Sequence, residues 1–288
     1  MAGSVWAGEP ARIDRALAEL GLARSRSHAA ELIARGRVRC DGRRASKAGA
    51  RVIPGASLEV SEGEHYVSRA AHKLIAGLDA FEIDPRDLLA LDLGASTGGF
   101  TQVLLERGAR EVIALDVGHG QLAPELRADP RVRAVEGSNA RELDAAALAE
   151  ASGTDEEPGL VVGDLSFISL TLVLPAIARV APAARLLLLV KPQFEVGRQG
   201  VRDGIVVDPE LAVDAALRVL AVAAQEGFAC AGVAASPITG EHGNRELLAH
   251  FAPVGGAGHG AADADPGAIA ADPTEWRERI RALLGGGS

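Results

Sequence analysis

Apolar positions in the first part of the chain follow two periods. Ile13, Ala16, Leu17 and Leu20 stand at helical spacing, and Gly21 stops them. A second helical run carries Ala30, Leu32 and Ile33, with Ser27 as its cap and Gly36 at its end. The period then falls to two. Val38 and Cys40 alternate with arginines as far as Asp41-Gly42, a tight-turn dipeptide. Val52-Ile53 and Leu58–Val60 read as short strands around Pro54-Gly55. This is a small α+β module.

From residue 88 onward strands and helices alternate. The spacing predicts strands over 88–94, 111–116, 132–136, 159–164, 185–190, 228–235 and 245–251, and helices over 99–108, 120–128, 168–180 and 209–226. Repeated strand–helix units demand parallel pairing with helices on both faces, which makes this part a Rossmann-like α/β domain. A ligand then belongs at the carboxyl ends of the first strands. Beyond Pro253 the chain becomes low in complexity, GGAGHGAADADPGAIAADP, before a short helix over 274–284. The expected organisation is a module over 12–62, a linker over 63–74, the α/β domain over 75–254 and a flexible tail over 255–288.

The stretch LDLGASTGGF at 91–100 reads as a buried strand, a glycine-rich turn and a helix start. It does not match the usual phosphate cradles. A P-loop ends in Gly-Lys-Ser/Thr, whereas Gly98-Gly99 precedes Phe100, and a G-x-G-x-x-G dinucleotide fingerprint has another spacing. The second strand ends in Asp116, whose carboxylate could accept both hydroxyls of a ribose or equally cap a helix. Paired with Gly94, Ala95, Ser96, Thr97 and Gly98, it favours an adenosine-bearing cofactor. Without a phosphate fingerprint, S-adenosylmethionine is preferred over NAD. Asp92 could meet the cofactor's ammonium, directly or through water. Asn139 could face the adenine, line the pocket or serve only as a turn former.

Charge adds a partner. The chain's net charge is −9, but residues 12–51 hold eleven basic and four acidic groups, a net of +7 that leaves −16 for the remainder. A compact basic segment favours an anionic polymer. Aromatic residues make up only 3% of the chain, so stacking on bases rests on few rings. Cys40 and Cys230 lack metal-ligand spacing, and a reduced cytosolic setting is the simplest reading. No basic-then-apolar leader opens the chain, and Pro175, Arg179, Pro182 and Arg185 interrupt the most apolar region.

Two later strands end in polar groups. Val161-Val162-Gly163 leads to Asp164, and Leu186–Val190 leads to Lys191-Pro192. The chain has only three lysines, Lys47, Lys73 and Lys191, among 30 Lys and Arg. So strong a preference for arginine points to positions where arginine will not serve, and a buried lysine can lose the proton that arginine keeps.

LGLARSRSHAAELIARGRVRCDG resembles the S4-like RNA-binding domain. YVSRAAHKL (66–74), LDLGASTGGFT (91–101), LDVGHGQL (115–122), DLSFISL (164–170), KPQFEVGR (191–198) and GNRE (243–246) resemble the TlyA family, in order, over about residues 12–252. That family joins an S4-like domain to an FtsJ-like methyltransferase domain and is often labelled hemolysin. The resemblance implies ribosomal RNA 2′-O-methylation at a cytidine and a Lys-Asp-Lys-Glu tetrad matching Lys73, Asp164, Lys191 and Glu246. Glu241 competes for the last role, and His72 is a rival base beside Lys73. Arg12, Arg24, Arg26, Arg35, Arg37, Arg39 and Arg69 are the candidate RNA contacts. The expected cofactor is S-adenosylmethionine with no metal. The expected partner is ribosomal RNA or a ribosomal subunit in the cytoplasm, with no protein partner or obligate membrane. The competing readings are a non-catalytic RNA-binding or assembly factor and a membrane-active hemolysin.

Overall fold

In the N-terminal part of the chain, strands β1 (Ala2–Val5) and β2 (Ala11–Arg12) precede helices α1 (Ile13–Glu19) and α2 (Arg26–Ala34). Strands β3 (Val38–Cys40), β4 (Arg43–Arg44), β5 (Arg51–Val52) and β6 (Ser57–Val60) follow. The computed structural model describes residues 2–34, 36–60, 65–197, 200–240, 243–255 and 273–285, and the chain divides into two compact units, 1–65 and 66–288. In the first unit an antiparallel sheet of order β1-β6-β3-β4 packs with the two helices around Trp6, Ile13, Leu17, Ile33, Val38 and Leu58. The Asp41-Gly42 turn joins β3 to β4 with φ of 50° and 74° at its two residues, the left-handed pair that a two-residue hairpin requires. The cap of α2 differs from expectation. Ser25 Oγ accepts the His28 N–H at 3.1 Å, and Ser27 lies inside the helix.

The second unit contains α3 (Ala71–Ala80), β7 (Leu89–Leu93), α4 (Gly99–Glu106), β8 (Glu111–Asp116), α5 (Pro124–Arg127) and β9 (Val132–Glu136). It continues with α6 (Ala145–Ser152), β10 (Leu160–Gly163), α7 (Leu170–Val180), β11 (Arg185–Val190) and α8 (Pro192–Glu195). A hairpin, β12 (Val201–Arg202) and β13 (Ile205–Val206), leads to α9 (Pro209–Gln225), β14 (Phe228–Ala235), β15 (Leu247–Pro253) and α10 (Pro273–Gly285). One sheet runs in the order β14-β15-β11-β10-β7-β8-β9. Its two faces carry separate cores, one built with α7 and α9 and the other with α3 and α4.

Three sequence expectations change here. The proposed linker over 63–74 falls partly on α3, whose Ala71, Leu74 and Leu78 are buried in the core. Gly77 lets that helix lie close on the sheet, since a Cβ there would fall 2.9 Å from Leu187 Cδ2. The pairing is not parallel throughout. β15 is antiparallel to both β11 and β14, because the connection from β14 is too short for the dozen or more residues of a parallel crossover. The helix expected over 120–128 is only α5, which begins at Pro124, four residues after Gly120 at φ 66°. The expected terminal helix is present as α10. The rest of the expected flexible tail, 256–272 and 286–288, lies outside the described residues.

Candidate active site

The strand order places the switch point of the sheet between β7 and β10, where chain connections leave in opposite directions. A cavity of about 210 Å³ opens at those carboxyl ends. Gly94, Ala95, Ser96 and Thr97 form one side, and Asp164, Ser166 and Lys191 form another. Gly98 shapes the loop from outside this lining. It starts α4 at φ 96°, and a Cβ there would lie 2.3 Å from Leu126 Cδ1.

Asp116 is not a helix cap. Its Oδ2 accepts the Ser96 N–H at 2.8 Å and its Oδ1 accepts the Gly118 N–H at 2.7 Å. Those two bonds fix the carboxylate against the glycine loop. Four lone-pair sites accommodate them and leave capacity for two hydroxyls. Asp92 is buried between β7 and α4, where Oδ2 accepts from Thr101 Oγ1 at 2.7 Å and Oδ1 has no partner. Burial, aided by the charges of Asp164 and Asp116, outweighs the Thr101 bond and pushes its carboxyl up to about 7. Neither Asp92 nor Asp116 is among the residues that line the cavity. Asn139 is exposed and caps a 3-10 turn through the Arg141 N–H at 3.1 Å, as a turn former does.

The four tetrad candidates come together although they lie far apart in the chain. Lys191 Nζ is 2.6 Å from Asp164 Oδ1. Lys73 Nζ is 3.3 Å from Asp164 Oδ2 and 2.7 Å from Glu246 Oε2. Positive and negative groups thus alternate along Lys191, Asp164, Lys73 and Glu246, and the cluster is neutral as a whole. Lys73, Lys191 and Glu246 are only 7%, 6% and 4% exposed. Burying ions is costly unless each is paired, and here each is. His72 is exposed and meets Tyr66 edge-on. Glu241 lies outside the described residues.

Several neighbours were not legible in the sequence. Ser166 Oγ accepts from Lys191 Nζ at 2.9 Å, and Gln193 Nε2 reaches Glu246 Oε1 at 3.5 Å. Phe167 is 86% exposed with φ 63°, its ring 5.1 Å from that of Phe194. A bulky side chain in the left-handed region is uncommon and marks a strained, defined position. The DLSF motif contains both Ser166 and Phe167, but nothing in its spacing separates them from ordinary loop residues. Glu195 accepts from Ser169 Oγ and from the Leu170 N–H at 2.8 Å, which fastens α8 to the start of α7. Burial pushes the Glu195 carboxyl up from its usual range.

In the S4-like unit, Arg12, Arg24, Arg26 and Arg39 are exposed and Arg37 is half-buried. Arg12 is engaged by Asp14, its Nη2 2.8 Å from Oδ2, and this holds the Asp14 carboxyl below the usual carboxylate range. Arg35 lies outside the described residues, and Arg69, in the second unit, is exposed. Among the described residues no cluster of three or more His, Cys, Asp or Glu side chains could hold a metal ion. No helix among them is long and apolar enough to cross a membrane.

A sheet of this order, with a glycine loop after β7, a carboxylate closing β8 and a buried cluster of paired lysines and carboxylates that reaches the cavity at Asp164 and Lys191, defines a Rossmann-like methyltransferase fold. Residues 66–252 match the FtsJ-like methyltransferase family, and residues 11–58 match the S4 domain. The chain is 50% identical over 242 residues to the 16S/23S rRNA (cytidine-2′-O)-methyltransferase TlyA of Mycobacterium tuberculosis, covering 83% of this chain and 88% of that one. It is 37% identical to Hemolysin A of Brachyspira hyodysenteriae, covering 83% and 99% of the two chains. A solved hemolysin-named structure from Streptococcus thermophilus shares 35% identity at a TM-score of 0.68, with 96% of each chain covered. The chain belongs to the TlyA family of FtsJ-like methyltransferases.

Proposed function

We propose that this chain transfers a methyl group from S-adenosylmethionine to the 2′-hydroxyl of a cytidine in ribosomal RNA. The observation that carries the reading is the neutral, buried cluster of alternating charges with Lys191 at the wall of the cavity. Of the two lysines in that cluster, Lys191 lines the cavity and Lys73 does not. Lys191 is accordingly assigned the hydroxyl proton, which its amine accepts after it has first released its own ammonium proton to solvent through the open cavity. Asp164 and Ser166 fix its Nζ, while Lys73 balances Asp164 and Glu246 from behind.

When bound, S-adenosylmethionine supplies a methyl group already activated on a sulfonium. The residues present fit such a ligand. The Gly94–Thr97 backbone forms one wall, and Asp116 is held with lone pairs to spare for a ribose diol. Since the electrophile is already activated, the protein's contribution is to position the hydroxyl and remove its proton. The exposed Phe167 ring offers a face for base stacking beside that site. The exposed arginines of the S4 unit offer phosphate contacts, and ribosomal subunits in the cytoplasm are the proposed setting.

Asp116→Ala tests the cofactor assignment. Losing bonds to a charged acceptor weakens S-adenosylmethionine binding by roughly 10–100-fold in titration calorimetry. Tight binding of NAD with none of S-adenosylmethionine contradicts the assignment.

A further inference from the structure

Helix α10 lies beyond the stretch that matches the methyltransferase family, yet it is seated in the same core. Ile280 is fully buried, and Trp276, Leu283 and Leu284 pack against the cluster that α7, α9 and β14 share. On its polar side Arg281 pairs with Glu210 of α9 at 2.6 Å, and Arg277 reaches Asp214 at 2.7 Å. The helix is therefore attached along its length, through one apolar seat and several ion pairs.

Its last turn connects to the site. The final carbonyls of a helix have no partner within it, and a cation there also meets the negative end of the helix dipole. The Leu284 carbonyl accepts from Arg245 Nη1 at 3.1 Å. Arg245 immediately precedes Glu246, whose side chain holds Lys73 at 2.7 Å and whose carbonyl accepts the Ser236 N–H at 2.9 Å. On the other side of Arg245, Asn244 Nδ2 donates to the Gly204 carbonyl in the β12–β13 turn at 2.6 Å. Three successive residues thus tie one short segment to three different elements: the hairpin, α10 and α3.

We infer that α10 is a clamp that acts through Arg245 to set the position of Glu246 and, through it, Lys73. Arg245 is a positioning residue, and α10 is the fixed object it holds. The catalytic consequence rests on the methyl-transfer reading above, but the clamp itself has a readout without activity. The chain contains three lysines, Lys47, Lys73 and Lys191, so selective isotope labelling of lysine Cε gives three resonances.

The test uses full-length Arg245→Met, Arg245→Lys and Ile280→Asp. Both Arg245→Met and Ile280→Asp are expected to shift the Lys73 resonance and leave Lys47 in place. Arg245→Lys, which keeps a cationic donor for the Leu284 carbonyl and adds a fourth lysine resonance of its own, is expected to leave the other three near their wild-type positions. Methyl transfer should lose roughly tenfold or more in kcat, with KM for cofactor and RNA within about twofold, as expected when reacting groups are displaced rather than removed. Arg245→Met removes no buried apolar contact, so it decides the matter even if Ile280→Asp fails to fold. An unmoved Lys73 resonance in Arg245→Met overturns the clamp. A well-folded Ile280→Asp that behaves as wild type while Arg245→Met does not also overturns it, since Arg245 would then act without α10. A shifted Lys73 resonance with unchanged kcat supports the clamp and counts against the catalytic reading of Glu246 and Lys73.

Discussion

Lys191→Arg is expected to fold, to bind S-adenosylmethionine and RNA, and to lose most methyl transfer. Lys191 Nζ lies 2.6 Å from Asp164 Oδ1 and 2.9 Å from Ser166 Oγ at the wall of the cavity. Arginine keeps a positive charge there and can still pair with Asp164. It cannot shed its proton, because its pKa stays above ~12. If Lys191 serves only as a charge, arginine should serve nearly as well in a chain that otherwise prefers it. If Lys191 accepts the hydroxyl proton, the loss is on the order of 10²–10⁴ in rate, the usual consequence of removing a positioned base. Single-turnover rates, with cofactor affinity measured alongside, separate a lost base from a misfit side chain. A variant within about threefold of wild type contradicts the general-base role, since that falls far short of the usual loss.

The second large effect is on stability. Lys73→Met leaves Glu246 buried without its cation, with the long Gln193 contact at 3.5 Å as its remaining side-chain hydrogen bond among the described residues. Breaking a buried pair from one side typically costs about 3–5 kcal/mol, because the remaining charge is uncompensated. Adding Glu246→Gln removes that charge. The double variant Lys73→Met/Glu246→Gln is therefore expected to recover most of the lost stability while remaining defective in methyl transfer. Urea unfolding followed at the amides of β7 and β11 reads the second unit alone. A single variant that loses less than about 1 kcal/mol, the range of exposed pairs, contradicts the buried-pair account. So does a double variant no more stable than Lys73→Met.

The strands of the second unit were legible because continuous apolar runs such as Leu186–Val190 admit few other readings. The glycine loop was legible because its spacing excludes the familiar phosphate motifs, and Lys191 because lysine is so rare in this chain. Other features depend on long-range contacts that local pattern does not carry. Lys73 is separated by 91 residues from Asp164 and by 173 from Glu246, so only the family resemblance pointed to their grouping. The same blindness assigned the first turn of α3 to a linker, since the buried Ala71 and Leu74 take their meaning from the sheet they cover. The burial of Asp92 against Thr101 is likewise a tertiary fact that its position in the strand does not carry. The antiparallel β15 follows from the length of its connection, which a count of strand–helix units leaves out.

Methylation of ribosomal RNA is best tested on subunits isolated from cells lacking this chain. Purified 30S and 50S subunits are incubated with the protein and isotopically labelled S-adenosylmethionine, and nuclease fragments are then analysed by mass spectrometry. The expected result is labelled methyl on the 2′-oxygen of cytidine, present with wild-type protein and lost with Lys191→Arg. Labelled methyl on a base, on purine riboses alone, or on no ribosomal nucleotide would contradict it.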